Sequence, residues 1–213
     1  MTSPKPLPSL GKDAGFWLGQ VAEAAATAGA ATDPDAMIRA LVSPFLERIG
    51  DADAWQRPGA LKEGERSYRV GGCFMVTPDE QWHMLIGSIG FPAEQNRLMI
   101  PIDAGHPGAV RQSGAPLLLA NTDEHTGFRQ YLKSSRMGSS MYAPMFWQGR
   151  FIGQVIMAAQ ARHTFGEADL ALLRALASHA SSLWMAIDGP AWLAHHYPPP
   201  DGFRVRPEGV DSR

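Results

Sequence analysis

The chain has 213 residues, 45% hydrophobic and 19% charged, with a formal net charge of −2 and one cysteine. That size suits one domain with a sizeable core plus extensions, and the near-neutral balance speaks against nucleic acid or an anionic membrane as electrostatic partners. The lone Cys73 excludes an intramolecular disulfide, and no stretch approaches the ~18 apolar residues of a membrane span. MTSPKPLPSL lacks the apolar core of a signal peptide, so the expected location is the cytoplasm.

Residues 1 to 12 hold three prolines and read as a mobile arm, followed by an alanine-rich helix over 13 to 30 whose narrow face suits close packing on another helix. Asp33-Pro34 is a helix start, because Asp caps free amides and Pro fits the first helical position. Met37, Ile38, Leu41, Val42, Phe45 and Ile49 then form one stripe, with a kink or a restart behind Ser43 at Pro44 and an end at Gly50. Residues 51 to 66 read as a loop. Strands are expected over Tyr68 to Val76, with a bulge at Gly71-Gly72, and over Trp82 to Ile89. In the second of these Trp82, Met84 and Ile86 share one face, and His83, Leu85 and Ile89 the other. A third strand over Arg97 to Ile102, a short helix over Ala109 to Ser113 closed by Gly114, and a fourth strand over Ala115 to Ala120 lead to a long polar insertion, Asn121 to Gly138.

Two apolar runs, Met141 to Trp147 and Phe151 to Ala158, flank Gln148-Gly149-Arg150 and predict a hairpin. Leu170, Leu172, Leu173, Leu176, Leu183 and Ile187 follow at helical spacing and need a surface to cover, which the hairpin supplies. Gly189-Pro190 stops that helix. The remaining residues, rich in proline, are expected to be mostly loose, with Trp192, Leu193, Tyr197 and Phe203 available to dock.

The order APMFWQGRFIGQVIMAAQ, then HTFGEADLALLRALASHASSLW, with MIPIDAGHPGAVRQSGAPLLLAN upstream, resembles the GAF domain family of sensor modules over residues 35 to 187. The resemblance implies an α+β fold: a five- or six-stranded antiparallel sheet, N- and C-terminal helices on one face, and loops or short helices over the other. The division is then an arm and helix at 1–32, a GAF-like domain at 33–187 and a tail at 188–213. It also implies a pocket rimmed by the loops that carry His106 and His125.

Arg129, Lys133 and Arg136 lie at helical spacing beside Ser134, Ser135, Ser139 and Ser140, a set able to hold a carboxylate or phosphate; the plain alternative is a solvated face paired with Asp123 and Glu124. The candidate ligand-binding set is Trp82, His106, Asn121, His125, Phe128, Arg129, Lys133, Arg136, Ser140 and Tyr142. No cluster has metal-ligand spacing, no cofactor is implied, and Cys73 reads as a small hydrophobe. The cyclic-nucleotide signature of the family fails, since Thr122 follows Asn121, and Leu132 and Lys133 stand where acids belong after Phe128. Sulfoxide-reducing members use several cysteines and bilin-binding members a loop cysteine, neither of which this chain offers. The expectation is therefore a non-enzymatic sensor binding a small organic ligand, anionic if the three cations clamp it, as a homodimer and signalling through an output protein. The alternative is a dimerisation module with a vestigial pocket.

Overall fold

A computed structural model describes residues 12–125, 131 and 136–205. Its helices are α1 (Lys12–Gly29), α2 (Pro34–Leu46), α3 (Gly105–Ser113), α4 (Glu167–Ala186) and α5 (Gly189–His196). Its strands are β1 (Arg69–Val76), β2 (Trp82–Ile89), β3 (Met99–Pro101), β4 (Leu117–Leu119), β5 (Ser139–Trp147) and β6 (Arg150–Ala159). They form one antiparallel sheet in the order β3-β2-β1-β6-β5-β4. The expected α+β architecture is present.

Local chemistry accounts for most of the boundaries. Asp33 caps α2 by accepting the Ala36 amide at 2.9 Å. The helix runs through Pro44 to Leu46 without restarting at Ser43, because the proline falls in its last turn, where little helix remains to be broken. The β5–β6 turn places Gln148 and Gly149 at positive φ, 48° and 79°, the geometry of a tight hairpin. The bulge expected at Gly71-Gly72 is seen as a register shift against β2. β3 and β4 keep only three residues each of their expected lengths, since both sit at the sheet's edges with one partner strand in the sheet. The short helix begins at Gly105 instead of Ala109.

Alternation sorts the sheet into two unlike faces. One carries Cys73, Met75, Met84, Ile86, Met141, Ala143, Met145, Val155 and Met157, all buried against α1, α2 and α4 in one core. Methionines fill the irregular gaps there. Gly87, at φ 60°, lets α2 approach closely, because a Cβ there would collide with Ile38. Asp35 then fixes the approach by accepting the Gly87 amide at 2.7 Å and pairing with Arg97. Arg69, almost fully buried, donates to the carbonyls of Leu46 at 2.9 Å and Ile49 at 2.6 Å, closing the open end of α2. The other face carries Phe74, Leu85 and Ile156, together with the polar His83, Gln154 and Ser140.

Two expectations about the C-terminus are corrected. Gly189-Pro190 ends α4 but opens α5, because Asp188 takes φ 53° and redirects the chain by 76°, with Pro190 at the start of the new helix. The tail is not loose as far as Val205, which is buried, for it pairs with β3. Among the described residues no single helix is long and apolar enough to cross a membrane.

Replacing Arg69 with methionine leaves the α2 carbonyls unsatisfied while keeping the volume. Urea denaturation should show a loss of roughly 3 kcal/mol, with Arg69→Lys recovering part of it. His83 is wholly buried, and desolvation pushes its pKa from 6.5 down to about 4. Between those values the unfolded chain binds a proton that the folded chain refuses, so stability falls as pH drops from 6.5 toward 4, by on the order of 3 kcal/mol. His83→Phe should flatten that part of the stability profile relative to the parent chain.

Candidate functional site

The face of the sheet opposite the helices holds the polar groups that packing alone does not require. Gln154, wholly buried on β6, donates its amide to the Pro107 carbonyl on α3 at 3.1 Å, while its Oε1 has no partner among the described residues. A buried amide oxygen without a donor costs about 1–3 kcal/mol, so this one has acceptor capacity to offer. His83 on β2 also lacks a well-formed hydrogen bond at either ring nitrogen, although the Ile102 carbonyl lies within electrostatic reach. Its ring meets Phe151 edge-on at 6.1 Å.

Tyr142 on β5 is half-buried and packs against the loop-side cluster of Phe74, Leu85 and Ile156. Desolvation raises its phenol pKa, opposed by the Ser140 hydroxyl beside it. His106, in the first turn of α3, has its ring 6.3 Å from Tyr142 and 6.3 Å from His125. Its pKa is lowered by burial first and by the neighbouring His125 second, so at neutral pH its ring is uncharged. Gln95, buried, donates to the Tyr131 carbonyl at 2.7 Å and holds that residue over Gly105. These groups form a neutral, aromatic, hydrogen-bonding surface over Phe74, Leu85 and Ile156.

The structure brings His106, His125, Ser140 and Tyr142 together, and it separates others from them. Trp82 lies on the helix-covered face, with the Arg204 guanidinium 5.9 Å from its ring, because residues two apart in a strand share a face and Trp82 goes with Met84. Arg136 turns to Asp123 at 2.9 Å, the paired alternative to a ligand clamp. Asp123 is also met by Lys62 at 2.7 Å and Arg162 at 3.0 Å, and Arg162 pairs further with Glu65. Asn121 spends its side chain on its own turn, accepting the Asp123 amide at 3.1 Å and donating to Glu124 at 2.8 Å. Phe128, Arg129 and Lys133 lie outside the described residues. His83 and Gln154 were missed as candidates, although a glutamine within the apolar run of β6 and a histidine alternating with Trp82 were the visible signals.

A hollow of about 370 Å³ opens elsewhere, between the β5–β6 tip and the α4–α5 corner, lined by Trp147, Phe151, Trp184 and Leu193. Trp147 belongs there and not to the loop side. Among the described residues no group of three or more potential metal ligands converges. Cys73 is buried on the helix-covered face, where desolvation raises its thiol pKa strongly.

No curated protein matches the sequence. Solved structures match the fold. The GAF domain of a phosphoenolpyruvate-protein phosphotransferase from Coxiella burnetii superposes with a TM-score of 0.67 at 16% identity, covering 83% of this chain and 96% of that one. The corresponding domain from Acinetobacter gives 0.64 at 16% identity, over 86% and 96%. A free methionine-R-sulfoxide reductase from Neisseria meningitidis, solved with its substrate, gives 0.64 at 20% identity, over 85% and 96%. That last likeness corrects the expectation of a non-enzyme: the fold carries catalysis in this and other free methionine sulfoxide reductases, so it is no argument against activity. A family model for the GAF domain matches residues 41–183, which hold all six strands, α3 and most of α4, and the chain therefore belongs to the GAF domain family.

Proposed function

We propose that this GAF domain is a cytoplasmic small-molecule sensor whose ligand lies on the loop side of the sheet, against Gln154, Tyr142 and His106, and whose occupancy is passed to a partner protein. The observation that carries the reading is the Gln154 amide: buried, anchored through its nitrogen to α3, and with an oxygen that no described residue satisfies. A ligand N–H or O–H supplied there would recover what the fold forgoes, while the rings of Tyr142 and His106 cover an apolar or aromatic body. Among the described residues Arg136 and Arg162 are engaged by Asp123 and Glu65, which supports an uncharged hydrogen-bonding head group opposite Gln154. An anionic group would rely on Arg129 and Lys133.

Native mass spectrometry of protein purified without denaturation should show a retained small molecule, and Gln154→Leu should reduce its occupancy at least ten-fold. The ligand-free melting temperature should change little in that variant, because loss of the orphaned oxygen offsets loss of the bond to the Pro107 carbonyl. An unliganded parent chain that also gives no thermal shift across a metabolite panel refutes the reading.

A second reading, a dimerisation module, is favoured by α1, where Phe16 and Leu18 are each 52% exposed and Gly15 and Gly19 face open space. Apolar side chains beside small residues suit close approach of a second copy's helix. Sedimentation should then show a dimer that Phe16→Glu with Leu18→Glu converts to monomer; an unchanged mass for parent and variant rejects it.

A further inference from the structure

The β3 edge of the sheet is covered by the chain's own C-terminal segment, which lies outside the family-matched region. Met99 donates its amide to the Phe203 carbonyl at 2.7 Å, Val205 donates to the Met99 carbonyl at 2.9 Å, and Phe203 donates to the Asn96 carbonyl at 3.3 Å. The first two bonds flank a single β3 residue, the pattern of a parallel pair. Alternation then distributes the side chains. Phe203 and Val205 pack into the loop-side cluster with Leu98 and Ile100, and Arg204 reaches the opposite side, over the Trp82 ring. An apolar, basic, apolar tripeptide is thus read by backbone bonds and by alternate side chains, which is how strand addition recognises extended peptides.

The pairing is shallow. Among the described residues it consists of one bridge to a three-residue strand, and prolines 198 to 200 and Gly202 separate it from α5. The segment shares no hydrogen bond with the β1–β6 ladder, and its removal would expose the Met99 N–H and C=O beside an apolar strip, a template for another strand.

We propose that the β3 edge is a docking site for an extended partner segment bearing an apolar–basic–apolar tripeptide parallel to β3, and that residues 203–205 are its built-in competitor. Being tethered, the competitor acts at a high effective concentration, so a partner gains the edge when the tail is drawn away. The proposal stands apart from any ligand on the loop side.

The test uses the full chain carrying Val205→Asp, which weakens the internal strand, and a fluorescein-labelled peptide PPDGFRV followed by anisotropy. Saturable binding to the variant, at least ten-fold tighter than to the parent and abolished when the peptide's Phe and Val are alanine, is expected. No binding to either protein, or equal binding of the alanine peptide, overturns the proposal. Should the variant fail to fold by circular dichroism, hydrogen exchange of the parent decides. The Met99 and Val205 amides should exchange at least ten-fold faster than the hydrogen-bonded amides of the β1–β6 ladder, and equal protection marks the tail as a permanent strand and overturns the idea.

Discussion

The pairing of β1 with β6, running from Arg69 opposite Ala159 to Met75 opposite Gly153, is the constraint on which the molecule depends. It joins two local hairpins, β1–β2 and β5–β6, into one sheet by contacts between residues some eighty positions apart, and it decides what each face contains. A slip of one residue would turn Gln154 into the methionine core and Val155 toward the loops. Gly153 protects the register, since a Cβ there would strike the Phe74 carbonyl. The fold's division into a packed side and a chemical side follows from this one ladder.

On the packed side, polar groups serve architecture. Arg69 closes α2, Asp35 ties α2 to β2 and Arg97, and Asp169 accepts the amides of Gly50 at 2.9 Å and Gly166 at 2.8 Å, joining the end of α2's loop to the start of α4. On the other side the cations around Asp123, among the described residues, are likewise committed. Asp123 gathers Lys62, Arg136 and Arg162 at the base of the loop beyond β4, leaving mostly neutral donors, acceptors and rings facing inward.

The chain beyond α4 extends the family architecture. Trp192 on α5 sits between the Arg97 guanidinium, 5.0 Å from its ring, and the His196 ring, stacked at 4.3 Å, so α5 is fastened to the same arginine that pairs with Asp35. From there Tyr197 donates to Asp79 at 2.6 Å and the chain turns onto β3. The tail is therefore built into the outer edge of the sheet that also bears the candidate site.

What the sequence determined by itself is what local periodicity and local chemistry govern. The alternation in β1, β2 and β6, the hairpin at Gln148-Gly149, the Asp33 cap and the stripe of α2 were all legible, because each is settled within a few residues. They sufficed for the family and the two-faced sheet. Only the tertiary structure decided which face Trp82 joins, that Arg136 is held by Asp123, that the Gln154 oxygen finds no partner among the described residues, and that Phe203 to Val205 are bridged to β3 instead of hanging loose. Each of these depends on a partner distant in the chain, chosen by register and by competition among charges, and no local pattern encodes that choice.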